Sequence, residues 1–370
     1  MTGSDITVGV APLTELSALE ARWRSLERRA DPSFFQTWSW IGSWLELARF
    51  ETPPRVIEAR RYGDCVGLAI IASRGSRRGA IAAGNGLYLN ETGDPDYDLI
   101  AIEHNGFLAD RNHAADVGAA CIRWLVAHDP SWTTLRLGGV PVDYATYAEP
   151  LGVKVSIQTI DPCPIVELVG LHSVDHLLAR LRASTRRQYL QSLSFYQARG
   201  EIRLDAATDV AQAHEHFTEL KRLHVQRWQS LNRPHAFRAP FFEKFHRALI
   251  ARGLPEGQVE FLRLTVGGRA VAYLYNFQFD GRVYNYQCGF EYESASRARP
   301  GLVSQILAID RAIGRGAREY DLLAGATRFK SSIASKSVKI AWLTLQRENV
   351  LLRAETFART LKRWFNVRRN

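Results

Sequence analysis

Apolar and polar positions alternate in two recurring ways along this chain. From Leu13 to Arg29 apolar residues recur at helical spacing, and the same holds from Phe34 to Leu45, where Phe34, Trp38, Ile41, Trp44 and Leu45 form one stripe. Pro53-Pro54 ends that helix. Strand patterns follow over Arg55 to Arg61 and Val66 to Ser73, joined at Gly63-Asp64 as a hairpin. Further strands are predicted at Gly86 to Leu89, Tyr97 to Ile102 and Thr134 to Leu137, with a helix from Ala114 to His128, and Gly84-Asn85-Gly86 reads as a turn. The order then repeats. Helices are predicted at Val174 to Arg199, Val210 to Leu231 and Pro240 to Arg252. Strands follow at Val259 to Val266 and Ala270 to Phe279, turning at Gly267-Gly268. A strand from Arg282 to Gly289, a helix from Leu302 to Ile313 and a short strand at Tyr320 to Leu323 complete the second unit.

A period of about 170 residues is that of a duplicated domain rather than a short-repeat solenoid. The division falls near Asp161-Pro162-Cys163-Pro164, where two prolines interrupt the pattern. The expected units are residues 1–163, residues 164–348 and a basic terminal helix over 349–370. With 370 residues, 46% of them hydrophobic and 23% charged, two packed cores are affordable, and no apolar run reaches the ~18 residues that a membrane span requires. The start of the chain lacks the pattern of a secretory signal, and four scattered cysteines fit a reducing compartment. These features predict a cytoplasmic protein.

Net charge changes the picture only locally. Of the +10 surplus, much sits from Arg353 onward, where six basic residues face the single acid Glu355. Arg180, Arg182, Arg186 and Arg187 form a second cluster. Such faces suit tRNA, anionic lipid or a phosphorylated substrate, and equally an ordinary solvated surface; no DNA-binding motif accompanies them. His214 and His216 sit two apart on a helix and do not face one another, so no metal site is expected.

The stretch Gly281 to Ala326 carries the most chemistry. Its strand leads through a loop with Arg297, Arg299, Pro300 and Gly301 into a helix, and exposed N–H groups at a helix start attract anions. Five blocks in order then resemble a known family: LKRLHVQRW (Leu220 to Trp228), HAFRAPFFEKFHRAL (His235 to Leu249), LRLTVGGRAVAYLYNF (Leu262 to Phe277), YNYQCGFEYE (Tyr284 to Glu293) and PGLVSQILAIDRAIGRGAREYDLLAG (Pro300 to Gly325). Together they resemble the GNAT-type acyltransferases of the CelD/BcsL group, relatives of the FemABX peptidyltransferases. The first half resembles a degenerate copy more weakly, through FFQTWSWIGSW and Asp96 to Ile102.

The resemblance implies a mixed α/β (α+β) class: tandem GNAT-like acyl-CoA N-acyltransferase folds, each a mixed sheet flanked by helices. It implies acyl-CoA, in particular acetyl-CoA, as co-substrate, with its diphosphate on the loop Ser296 to Leu302. Arg297, Arg299, Gly301 and Leu302 are therefore the expected donor-binding residues. The implied acceptor is a small-molecule or sugar amine in exopolysaccharide or cell-envelope synthesis, which would place the protein beside membrane-associated polysaccharide machinery at the inner membrane. FemABX relatives use aminoacyl-tRNA instead, and a catalytically inactive partner-binding protein is the third reading. The chain departs from the family's G-[DE]-x-x-[YF]-K pattern: it reads Gly325-Ala326-Thr327-Arg328-Phe329-Lys330, keeping the lysine and losing the acid.

Acyl transfer to an amine needs an anchored donor, a polarised carbonyl and a proton acceptor. His224 shares its helix face with Phe217, Leu220 and Trp228, so it reads as a general base or as a core histidine. Asp321, at a strand end, would orient the amine or accept its proton, or else pair with Arg318. Lys330 would neutralise donor phosphate or polarise the carbonyl. Arg227 and Trp228 would contact substrate, the former through its bidentate fork. Tyr286 and Gln287 alternate along one strand, so only one of them is expected to face the cleft.

Overall fold

In the computed structural model, residues 5–78, 81–325 and 327–347 are described; the expected basic helix over 349–370 lies outside them. The first half runs β1 (Ile6–Pro12), α1 (Leu16–Glu27), α2 (Trp38–Leu47), β2 (Arg55–Arg61), β3 (Asp64–Arg78), β4 (Ile81–Leu89), β5 (Leu108–Ala109), α3 (Ala114–His128), β6 (Thr134–Pro141), α4 (Tyr144–Ala148) and β7 (Lys154–Glu167). The second runs α5 (Val174–Arg180), α6 (Ala183–Gln197), β8 (Ile202–Ala206), α7 (Val210–Ser230), α8 (Pro240–Gly253), β9 (Val259–Val266), β10 (Arg269–Phe279), β11 (Arg282–Phe290), α9 (Pro300–Gly314), β12 (Glu319–Asp321), α10 (Arg328–Ile333) and β13 (Lys336–Gln346).

Twelve of these strands form one continuous mixed sheet in the order β1-β2-β3-β4-β6-β13-β7-β12-β11-β10-β9-β8, with β5 on the side of β3. Reading inward from either end gives the same plan. An antiparallel run ends in one parallel pair, β4 with β6 or β11 with β12. The final strands then cross over: β13 lies against β6, β7 lies against β12, and the two run antiparallel to each other down the middle. Each half is thus completed by the other half's last strand.

That exchange corrects the expected boundary. Asp161 to Pro164 is interior strand in β7, pairing with Lys336 to Ile340 of β13. The prolines are tolerated because their missing N–H groups face the side where β12 has ended; the carbonyls of Pro164 and Pro162 on that side accept from Leu322 N–H (3.0 Å) and Gly325 N–H (3.1 Å).

Local chemistry accounts for the elements. The hairpin turns fall at Tyr62-Gly63, Gly267-Gly268 and Asp280-Gly281, all with positive φ at both positions, as a two-residue turn between right-twisted strands requires. The aromatic helix is core, as its spacing predicts, but the core is shared. Phe34 stacks on Phe277 at 4.2 Å, and Trp40 meets Phe245 edge-on at 4.8 Å. Arg252 of α8 also forks onto Glu46 of α2 at 2.7 and 2.8 Å.

Three other expectations change. Tyr97 to Ile102 is no strand: Asp98–Ile100 is a short 3-10 turn, and Ala101 and His104 both take left-handed φ of 48°. Gly84 to Gly86 belongs to β4 rather than to a turn. The predicted helix from Val174 to Arg199 breaks at Leu181 and Arg182, whose extended backbone separates α5 from α6.

Candidate functional site

The site begins where two parallel strands part. β11 and β12 pair for three residues only, Arg282–Tyr284 against Glu319–Asp321, after which the chain leaving β12 turns away and β11 runs on to Phe290. Opposite Tyr275 and Asn276 of β10, β11 carries one extra residue, Tyr286, a bulge that breaks its alternation. The wedge opens into a cleft of about 580 Å³ whose walls include His224, Arg227 and Trp228 of α7, Tyr286, Gln287 and Cys288 of β11, and Lys330 of α10. Both Tyr286 and Gln287 therefore border the cleft, contrary to strict alternation.

Behind this strand a chain of amides fixes its position. Tyr320 Oη donates to Gln305 Oε1 (3.0 Å), Gln305 Nε2 to Asn285 Oδ1 (2.7 Å) and Asn285 Nδ2 to Asn276 Oδ1 (2.8 Å). These buried side chains bonded in series brace β11 at the point where it loses its neighbour, with only the Asn276 Nδ2 at the end of the chain left without a partner among the described residues. Tyr286 is likewise committed to structure: its hydroxyl donates to Ile100 O and lies 3.1 Å from His246 Nε2.

His224 takes the expected inward face and stacks against Trp228 at 5.6 Å between centroids. Burial, helped by nearby His235, pushes its pKa down to about 4, so at neutral pH it is an uncharged ring rather than a group in mid-titration. Its Nε2 is buried and unpartnered, as is Nδ1 of His235 on the same wall. Arg227 lies over the Tyr292 ring at 4.4 Å, an aromatic contact that keeps the guanidinium at the rim. The Cys288 thiol, pushed up to about 11 by burial, is no nucleophile.

Lys330 stands in the first turn of α10, which Thr327 caps, and its ammonium donates to the carbonyls of Leu323 (3.2 Å) and Ala324 (2.8 Å). It thus ties down the segment leaving β12 while bordering the cleft. Glu103, from the other half, accepts from Ala324 N–H at 2.5 Å; burial outweighs that hydrogen bond and the Lys330 charge and raises its pKa.

Asp321 is buried, with Oδ1 accepting from Leu323 N–H (2.7 Å). Its partner is not Arg318, which binds Asp280 at 2.6 Å, but His104, whose Nε2 lies 2.9 Å from Asp321 Oδ2. The first half supplies that histidine, and no local pattern marks it: it follows a segment whose apolar residues imitate a strand.

The donor-loop residues stand apart from the cleft lining. Arg297 is exposed, and its carbonyl accepts from Ser192 Oγ at 2.6 Å. Arg299 folds its Nε onto Ser296 O at 3.2 Å. In the first turn of α9, Pro300 has no N–H, while Leu302 and Val303 both donate to Arg299 O (3.1 and 3.2 Å). The Gly301 N–H donates to no backbone carbonyl among the described residues. Gly301 also packs so close to the Phe290 ring that an added Cβ would lie 3.2 Å away, and Phe290 borders the cleft. The loop therefore adjoins the wedge through that ring.

The matching wedge of the first half is filled. β4 and β6 also pair for three residues, Gly86–Tyr88 against Thr134–Arg136. There Asn105 bridges the gap, its Nδ2 donating to Leu89 O and Gly138 O, both at 2.9 Å, and its backbone N–H to Gly139 O at 2.9 Å. Asn90 Nδ2 locks the plug by donating to Asn105 Oδ1 (2.8 Å) and Gly106 O (2.9 Å).

Comparison with known proteins agrees with this asymmetry. Residues 183–331, which contain the open wedge, match the acetyltransferase (GNAT) domain family. Over nearly its whole length it is similar in fold to FemX (11% identity, TM-score 0.60, 93% of this chain and 98% of that one). It is also similar to the C-terminal domain of a provisional lysylphosphatidylglycerol synthetase from Agrobacterium fabrum (10%, TM-score 0.54, 90% and 93%). The L-PGS from Bacillus licheniformis is a third such structure (9%, TM-score 0.50, 91% and 94%). No curated protein sequence matches the chain. Among the described residues no helix is long and apolar enough to cross a membrane.

Proposed function

We propose that this acyltransferase moves an acyl group, acetyl in the simplest case, from acyl-CoA to an amine in the wedge between β11 and β12. The observation that carries the reading is the wedge itself: a bulged strand end without a neighbour, beside a helix start with a free N–H, in the half that matches the GNAT family. Arg297, Arg299 and Gly301 hold the diphosphate, and the thioester arm reaches past Phe290 toward Gln287 and Lys330. The amine nitrogen attacks the thioester carbon, the C–N bond forms and the C–S bond breaks. The thiolate leaves and the amine gives up a proton. Lys330 keeps the floor of the wedge in place and presents its charge to the developing oxyanion. An amino sugar of envelope or exopolysaccharide synthesis is the acceptor class suggested by the resemblance in sequence.

Calorimetry tests the donor. Acetyl-CoA and CoA should bind at micromolar concentration, and Arg299→Ala should weaken both about tenfold, the loss of one charge-assisted phosphate contact. Salt-sensitive binding of tRNA without CoA binding would replace the donor with aminoacyl-tRNA. Binding of neither would leave a partner-binding protein.

A further inference from the structure

We infer that His104, delivered by the first half, is the proton acceptor for a primary amine bound in the cavity between the halves, with Asp321 as its positioning residue. This inference rests on the acyl-transfer reading and adds the acceptor's side of it. A second cavity, of about 680 Å³, lies where the halves meet and is lined from both: His104 and Tyr144 on one side, Tyr284, Glu319 and Asp321 on the other. It adjoins the donor wedge. Along β11 the residues lining this cavity stop at Tyr284, and those lining the wedge begin at Asn285. The rung Tyr284–Asp321, last of the parallel pairing, thus stands between the two spaces, and the reaction requires the thioester to reach past it to an amine beside His104.

The cavity is lined by as many basic as acidic side chains. Arg282 binds Asp31 at 2.6 Å, Lys336 binds Glu319 at 2.6 Å, and Arg111 donates to Ala30 O at 2.8 Å. Asp321 keeps one oxygen on backbone and turns the other to His104, so the imidazole is what an entering ammonium meets. The proton passes from the ammonium to His104, Asp321 stabilises the imidazolium, and the freed lone pair forms the C–N bond as the C–S bond breaks. Once the thiolate has left, the proton lost by the acylated nitrogen goes to it.

The surroundings of His104 set the pH at which this works. Burial opposes a charged ring, but the Asp321 carboxylate 2.9 Å away, with the charge of Glu103, outweighs it and holds the pKa above the ordinary imidazole value; Arg282 opposes them. The Tyr284 ring lies 6.2 Å away, and Lys330 faces Glu103 from α10. The ascending limb of the rate should therefore lie above the usual histidine range, and Asp321→Asn should move it to lower pH.

His104 has φ of 48°, a backbone that glycine adopts without strain, so His104→Gly removes the ring and spares the fold. The measurement is CoA thiol release from acetyl-CoA in the presence of glucosamine, lysine or putrescine, with acetyl-CoA binding followed separately by calorimetry. In His104→Gly the amine-dependent rate should fall about 100-fold or more with binding unchanged, and free imidazole should restore part of it. Intact acetyl-CoA binding with an unchanged rate, an unshifted limb in Asp321→Asn, or no amine accepted by the wild type would overturn this inference alone. Absence of acetyl-CoA binding would overturn the donor reading and this one with it.

Discussion

The two wedges of this molecule share a blueprint and have opposite fates. In each half a parallel pair runs for three residues and then parts beside a 15-residue helix, α3 or α9. In the second half nothing enters the gap, and the bulged edge of β11 faces a cleft. In the first, Asn90 and Asn105 close it with hydrogen bonds to both strands. A GNAT-like half therefore does not lose its pocket by losing residues. It loses it when the connection after β4 grows long enough to fold back, here from Asn90 to His113, against the nine residues from Glu291 to Arg299 after β11. The same connection carries Leu99 to the lining of the open wedge and His104 to the cavity beside it, so the plug of one site is a wall of the other.

The sharpest way to break this comparison is Asn105→Ala. It removes the Asn105 amide's hydrogen bonds to two buried carbonyls and one of the two made by the Asn90 amide, a loss of about 3 kcal/mol or more in denaturant unfolding. If the variant instead stays stable and binds two acetyl-CoA per chain, the plug alone separates the halves. Lys330→Ala should leave the melting temperature within a few degrees and lower turnover about 10- to 100-fold, roughly 1.4–2.7 kcal/mol of barrier. Unchanged turnover would remove Lys330 from the chemistry and leave it as a clamp on Leu323 and Ala324.

A smaller effect concerns pH. His216 and His224 are both held neutral by burial, their pKa values pushed down to about 4. Below about pH 6.5 the unfolded chain takes up protons that the native rings refuse, so stability falls from there toward pH 4, at up to about 1.4 kcal/mol per pH unit for each ring. Both nitrogens of His216 are buried without a partner, and its ring packs on Phe261 and Tyr273. His216→Phe should therefore fold normally at pH 7 and flatten the slope between pH 6.5 and 4. An unaltered slope in urea titrations would show that His216 is not among the histidines kept neutral.

What the chain's pattern disclosed follows from the range of the forces involved. Helical aromatic spacing from Phe34 to Leu45 marks a core, and positive-φ turns at Gly267-Gly268 mark a hairpin, because both depend on neighbours in sequence. Strand, loop and helix from Arg282 to Ile313 were legible for the same reason, as were His224 and Trp228 on one face of α7. Asp321 was legible as a buried strand-end acid, but its partner was not: His104 lies 217 positions earlier in the chain, and only the sheet brings them together. The segment from Tyr97 to His104 misled because alternating apolar residues mimic a strand, whereas left-handed backbone at Ala101 and His104 turns the chain into the wedge. Prolines at 162 and 164 suggested a domain boundary, since pattern alone does not reveal that their donor side faces a gap.

The crossing of β7 and β13 has a consequence for how the molecule comes apart. Cutting the chain at residue 163 would not release two domains: it would sever β7 and strip β13 of its neighbours, leaving β6 and residues 154–163 in one fragment and β13 in the other, with edges that fit each other. Such fragments would either find each other or pair with copies of themselves. Heating the intact protein should then give a single transition, and genes split at this point should work only by complementation.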